Sequence, residues 1–285
     1  MTILVTGATG NVGRQVVHQL IARDARVRAM TRNPAKAALP SGIEMVKGHL
    51  RDPDTLGTAF AGVDRVFLFP FEGEVERVME IMRDAGICRV VVLSSMEVDD
   101  QAEDDGSDFQ QTVERAVERS GFDWTHLRPC GFMANALDWA ESIKAHGIVR
   151  APYGRSAHPY IHEADIAAVG VEALLKDGHA GSKYNLTGPE PISQIEQVRA
   201  IGRAIEREIR FEELSPGQAR EEWRSGDWSS SMAHEEFEEL ADWLLEILAS
   251  GVDTPRQPLP TVDQITGRPP LTFDRWASDH AADFL

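Results

Sequence analysis

Residues 6–13 read Thr-Gly-Ala-Thr-Gly-Asn-Val-Gly, directly after an apolar run at 2–5 and directly before a helix-period stretch at 12–22. A strand passing into a helix over so few residues needs a turn that Gly7, lacking a Cβ, can make. Gly10 leaves the backbone bare enough for a pyrophosphate to approach, and Gly13 lets the helix lie close on the sheet. The free N–H groups around Thr9, Asn11 and Val12 then face an anion at the positive end of the helix. Glycines spaced G-x-x-G-x-x-G are weak evidence alone; the strand-turn-helix context gives them their meaning.

The rest of the first half keeps the same rhythm. Short runs at 2–5, 26–30, 43–46, 65–69, 89–93 and 124–127 alternate with helix-period segments, which predicts parallel strands joined by right-handed crossovers. The run Arg89-Val-Val-Val-Leu93 is nearly all apolar, as a strand covered on both faces must be. The expected fold is α/β, a doubly wound, Rossmann-type parallel sheet at 1–150, with a smaller and mainly helical C-terminal substrate lobe at 151–285. Within that lobe, residues 160–187 are expected to return to the sheet through a helix at 163–176 and a strand at 183–186. Further helices are predicted at 192–206, 234–249 and 273–284, and the Pro-rich stretch 254–260 is read as a loop.

Composition removes several classes of partner. With 46 Asp and Glu against 29 Lys and Arg, the formal charge is −17, which repels phosphodiester backbones and anionic lipid. Nucleic acid and membranes are therefore not expected partners; a small molecule is, and a homodimer stays open. Cys88 and Cys130 read as reduced thiols in a chain with no secretory pattern, so the expected location is the cytoplasm. No spacing among histidines, cysteines and carboxylates resembles a metal site, and there is no G-x-S-x-G elbow.

The end of the second strand selects the dinucleotide, because an acid there holds the ribose 2′-hydroxyl of NAD whereas a cation meets a 2′-phosphate. The residues are Thr31-Arg32-Asn33 with Lys36 one turn on, and no acid lies between Asp24 and Glu44. NADP(H) is thus the expected cofactor and NAD(H) the less favoured one.

With these residues in place the chain resembles the NmrA-like branch of the atypical short-chain dehydrogenases/reductases, and with it a type of NAD(P)H:quinone oxidoreductase. The matching stretches are 6–13, 31–36, 90–95, 120–135, 162–167, 187–190 and 266–270, nearly the whole length. The resemblance implies NAD(P)(H) binding, with Leu50 beneath the adenine and Pro129 and Phe132 against the nicotinamide. It implies quinone or enone reduction in some members and cofactor sensing without turnover in others.

The superfamily's usual chemistry uses a Tyr and, four residues later, a Lys. Here Tyr153, Tyr160 and Tyr184 are followed at that distance by Ala157, Ala164 and Gly188. Aligning the helix at 108–120 on Glu114 puts Gly106 and Gln110 where the pair would stand, and His49 replaces the Asp more usual before Leu50. An NADPH-dependent oxidoreductase acting on a small quinone or conjugated carbonyl accommodates the missing pair, since the product anion is delocalised. Two alternatives accommodate it as well: a non-catalytic NAD(P)(H)-sensing regulator, and a redox-neutral enzyme of secondary metabolism on the same fold.

The candidate catalytic residues are Ser94 and Ser95, which end the fifth strand, and Tyr160, which lies between His158 and His162. Phe69 and Pro70 are expected, with Phe71, to wall the cofactor cleft. Asp165 reads as a helix cap. The stripe Phe237, Leu240, Leu244 and Leu248 is expected to bury one face of an acidic helix, and 225–231 to form a lid carrying Trp228.

Overall fold

The structure, a computed structural model, describes residues 1–102, 108–226 and 232–285. Its strands are β1 (Thr2–Val5), β2 (Arg26–Thr31), β3 (Glu44–Lys47), β4 (Arg65–Leu68), β5 (Arg89–Leu93), β6 (Asp123–Pro129), β7 (Ile148–Pro152), β8 (Ala157–His158), β9 (Ser182–Leu186), β10 (Ile192–Ser193) and β11 (Arg210–Leu214). Its helices are α1 (Asn11–Ile21), α2 (Leu56–Phe60), α3 (Val75–Asp84), α4 (Phe109–Arg119), α5 (Ala140–His146), α6 (Glu163–Leu175), α7 (Gln194–Ala204), α8 (Pro216–Ser225), α9 (His234–Asp253), α10 (Thr261–Thr266) and α11 (Phe273–Asp279). Among the described residues, no helix is long and apolar enough to cross a membrane.

Two compact units result. The first comprises residues 1–130, 163–187 and 259–270. Its seven strands lie in the order β3-β2-β1-β4-β5-β6-β9, every neighbouring pair parallel. The chain runs outward from β1 to β3, then crosses back to β4 and runs the other way, so the strand order reverses between β1 and β4. Ligands of such sheets bind outside the carboxyl ends of the strands at that reversal.

Burial on both faces explains the apolar strands. Leu4, Val66, Leu68, Val90 and Val92 share one core with Phe60, Met79, Met82, Val113 and Val117 of α2, α3 and α4. The alternate residues Ile3, Val5, Phe67, Val91 and Leu93 are equally buried on the opposite face. There Gly170 lets α6 approach the sheet, since a Cβ would stand 2.9 Å from the Phe67 ring. The segment 259–270 is fastened to this unit at two points: Leu259 N donates to Thr187 Oγ1, and Arg268 Nη1 lies 2.7 Å from the buried Asp165. Asp165, read from the sequence as a cap, is inside the first turn of α6 and pairs with an arginine from far along the chain.

The second unit comprises residues 131–162, 188–258 and 271–285. Residues 131–150, assigned by the sequence rhythm to the first domain, belong here because Met133, Ala136, Ile143 and Val149 form a core with Val198, Ile201, Phe273, Trp276 and Phe284. The unit is less purely helical than its sequence suggests. β7 pairs parallel with β11, and β8 pairs antiparallel with β10. Ser193 starts α7 with a capping box to Glu196. On α9 the buried track is Phe237, Ala241, Leu245 and Gly251, one residue round from the expected stripe, and Trp243 is exposed.

Candidate active site

The turn between β1 and α1 has the geometry its glycines require. Gly7 has φ +57°, in the left-handed region, and Gly10 N closes the turn on Gly7 O at 3.0 Å. A Cβ on Gly13 would stand 2.2 Å from Gly7 O, so only glycine lets α1 begin this close to the strand. Gly10 is different: its Cβ would be 3.4 Å from Gly7 O, so the fold alone would tolerate one there. The first turn of α1 has no side-chain cap and no acid, which leaves its N–H groups for an anion from outside. A dinucleotide diphosphate fits this cradle.

Phe69 and Thr6 frame the turn. The Thr6 hydroxyl donates to Phe67 O and accepts from Phe69 N at 2.7 Å, tying the ends of β1 and β4 together. The Phe69 ring then lies against Gly7 and remains 44% exposed, an apolar surface beside the cradle. Pro70 follows it half-buried, whereas Phe71, expected in the same wall, belongs to the core.

At the end of β2, Arg32 and Lys36 are exposed. The register pairs Thr31 with Lys47 of β3, which brings a third exposed cation to this corner. Sequence reasoning missed Lys47, whose only signal is the strand pairing. Among the described residues none of the three charged heads carries an ion pair, although most arginines of this acidic chain do. Leu50 is buried with Met30 in the core, and His49 N donates to Thr55 Oγ1. On the same rim Arg51 and Glu72 form an ion pair at 2.6 Å.

The two serines after β5 separate clearly. Ser95 Oγ accepts from Glu97 N and shapes the turn. Ser94 is 3% exposed, and its hydroxyl has no hydrogen-bond partner among the described residues. Its N–H donates to Leu127 O at 2.7 Å, and Met96 N donates to Pro129 O at 3.0 Å, so the ladder to β6 continues past the end of β5 as far as the buried Pro129. The glycine turn, Arg32, Lys36, Leu50, Phe69, Pro70, Ser94, Ser95 and Pro129 thus all lie at or just beyond the carboxyl ends of one sheet.

Phe132 and Tyr160 belong to the second unit. Phe132 bridges to Ile161, whose N–H donates to Gly131 O. The Tyr160 ring covers the Cα of Gly131, where a Cβ would be 2.7 Å away, and its carbonyl abuts Gly188. His158 meets Tyr160 edge-to-face at 5.7 Å, and the buried His162 lies 3.6 Å from Asp279. Gln110 stands in the first turn of α4; Gly106 and, of the expected lid, 227–231 with Trp228 lie outside the described residues.

Glu114, Glu118 and His126 bring ligand-type atoms within 4.8 Å of one another, a grouping the sequence spacing does not advertise. Two cations already occupy it: Arg128 pairs with Glu114, and Lys183 with Glu118. Burial holds the His126 pKa below its ordinary value, so the imidazole stays neutral. The group is an internal salt network.

A doubly wound sheet with an open anion cradle at its strand-order reversal defines a Rossmann-type dinucleotide-binding protein. The chain belongs to the NAD(P)H-binding family, which matches residues 7–177. Over 99% of both chains it is 38% identical to a (4-alkanoyl-5-oxo-2,5-dihydrofuran-3-yl)methyl phosphate reductase of Streptomyces griseus. It is 32% identical, again over 99% of both, to an NAD(P)H azoreductase of Xenophilus azovorans. Its fold matches the crystal structure of an NADPH-dependent quinone oxidoreductase of Escherichia coli in complex with NADPH, with a TM-score of 0.77, 23% identity and coverage of 97% of this chain and 99% of that one.

Proposed function

We propose that the protein is an NADPH-dependent reductase of conjugated carbonyl compounds, with activated alkenes as its natural class and quinones as surrogates. The observation that carries this reading is the Ser94 hydroxyl, buried and unpartnered among the described residues at the carboxyl end of β5. A buried hydroxyl without a partner is unfavourable by about 1–3 kcal/mol, which a bound oxygen would relieve. The Streptomyces griseus relative adds support: its named substrate carries a ring double bond flanked by a lactone carbonyl and an alkanoyl group.

Arg32, Lys36 and Lys47 would hold the 2′-phosphate, which favours NADPH over NADH, and the 6–13 turn would hold the diphosphate. The bound nicotinamide supplies hydride. Ser94 Oγ donates a hydrogen bond to the acceptor's carbonyl oxygen, where negative charge collects as the alkene carbon is reduced. That anion is spread over a conjugated carbonyl system, so water suffices to protonate it. The sequence accordingly has no tyrosine followed four residues on by lysine. Pro129 would present one wall to the nicotinamide. In this reading Ser95 shapes the turn, and Tyr160 packs on Gly131 rather than donating a proton.

The test is NADPH oxidation by purified protein with a 2-acylbutenolide, a simple enone and a naphthoquinone. Saturable turnover, fastest with the doubly activated alkene and slower with NADH, is the expected result. Tight NADPH binding without turnover of any acceptor would replace this reading with that of a cofactor sensor.

A further inference from the structure

Arg128 stands at the end of β6, one residue before Pro129, and its side chain is 7% exposed. Among the described residues, the hydrogen bonds of that side chain all go to two carboxylates. Nε and Nη2 donate to Glu114 at 2.9 and 2.5 Å, and Nη1 and Nη2 donate to Asp100 at 2.9 and 2.7 Å. The first fork joins β6 to α4. The second reaches the loop that continues from Ser94, and Lys183 Nζ grips the same Asp100 carboxylate at 2.6 Å. Burial opposes the Arg128 charge, but the bonds to Glu114 and Asp100 more than restore it. Hydrogen bonds from Arg128 and Lys183 hold the Asp100 carboxyl well below the usual carboxylate range, so the second fork is intact throughout neutral pH.

The two forks differ in what depends on them. Glu114 is 1% exposed, so removing either partner there strands a charge inside the molecule. The Asp100 side chain is 47% exposed, and without it water can reach the freed Arg128 donors. The stability of the unit depends on the first fork; the second holds a loop. That loop is held by the Ser94 N and Met96 N ladder bonds at one end and by the Asp100 fork at the other. Gln111 Nε2, donating to Asp99 O at 2.6 Å, keeps the far end close to α4.

We propose that Asp100 is a positioning residue: through Arg128 and Lys183 it ties the far end of the segment 94–100 to β6 and β9 and so fixes where the Ser94 hydroxyl points. The inference rests on the role given to Ser94 above. Releasing the far anchor loosens Ser94 without touching the 6–13 turn, so the reaction suffers and cofactor binding does not. Small misplacements of a group facing the reaction can lower rates up to about 10²-fold.

The test uses the full-length chain with Asp100→Asn, Asp100→Ala and Asp100→Glu, reading NADPH affinity by fluorescence, turnover of a 2-acylbutenolide and of a naphthoquinone, and amide exchange over 95–102. Asp100→Asn should lower kcat about tenfold, leave the Kd for NADPH within about twofold, and speed exchange in that segment alone, with Asp100→Glu between it and the native protein. An unchanged kcat overturns the proposal, and so does an equal loss of NADPH affinity and melting temperature. If native protein binds NADPH but reduces neither acceptor, the reductase reading fails and takes the catalytic role of Asp100 with it. Exchange then still decides the anchor, which faster exchange in Asp100→Asn upholds and unchanged exchange removes.

Discussion

At the β1–α1 turn, the cradle for the diphosphate lies within residues 6–13 and is made of backbone. At the β5–β6 end, Ser94 and Asp100, Glu114, and Arg128 come from three separate stretches and act through side chains. The first kind of site tolerates little added bulk, least of all at Gly13, because its working surface is bare backbone. The second tolerates changes of shape but depends on which charge meets which. The two should therefore fail differently: damage to the turn removes the cofactor, and damage to the β5–β6 end leaves it bound but idle.

Gly13→Ala should show the largest effect. The new Cβ would sit 2.2 Å from Gly7 O and 2.8 Å from Gly7 C, both backbone atoms that cannot swing aside. Strain of about 1–3 kcal/mol and a displaced N–H cradle should weaken NADPH binding about 10²-fold or more and lower the melting temperature. Isothermal titration of NADPH into the variant measures this. Binding at native affinity would mean that the turn does not hold the diphosphate.

Ser94→Ala breaks the comparison from the other side. Losing one donor to a developing oxyanion lowers rates about 10²-fold, while NADPH affinity should stay within about twofold. Steady-state kinetics and fluorescence titration on the same preparation separate the two. Should Ser95→Ala cost as much as Ser94→Ala, the distinction drawn from their hydrogen bonds is wrong. Arg32→Ala comes next: losing a hydrogen bond to a charged phosphate should raise the KM for NADPH about 10- to 30-fold and that for NADH hardly at all. Lys47→Ala should follow it with a smaller effect of the same sign.

The same contrast explains what could be read in the sequence. β1, β4 and β5 were legible because burial on both faces makes them almost continuously apolar, β2, β3 and β6 because they keep the same strand-helix rhythm, and the glycine turn because its requirements are local. β7, β8, β10 and β11 were not, since a pair such as β7–β11 has charged residues like Arg150, Glu212 and Glu213 along it. The unit boundary at Cys130 depends on residues 131–150 sharing a core with Trp276 and Phe284, a partnership no local pattern encodes. Lys47 reaches the Arg32 corner only through strand pairing. Ser94 and Ser95 are chemically identical in sequence, and only the turn made by Glu97 N separates them.

The smallest expected effect is on pH dependence, and of the two regions it falls on the β5–β6 end, because 6–13 contains no titratable side chain. His126 is fully buried, stacks on Trp124 at 4.5 Å and has Nε2 3.2 Å from Glu118. Burial lowers its folded pKa from 6.5, and the pull of Glu114 and Glu118 recovers only part of that. The unfolded chain therefore takes up a proton before the folded one does. Stability from this group is fully present above about pH 6.5 and is lost as pH falls toward the folded pKa, at up to about 1.4 kcal/mol per pH unit. His179, whose pKa burial also lowers, adds a slope of the same sign. Asp100 acts in a lower window, below about pH 4, because its folded pKa is depressed. Urea unfolding between pH 5 and 8 should show stability rising with pH, with a shallower rise in His126→Gln. An identical slope in that variant would mean that burial does not shift His126, and a steeper one that the imidazole is protonated within the salt network, so that the Glu114–Glu118–His126 group would have to be read as a charged triad rather than a neutral histidine beside two satisfied carboxylates.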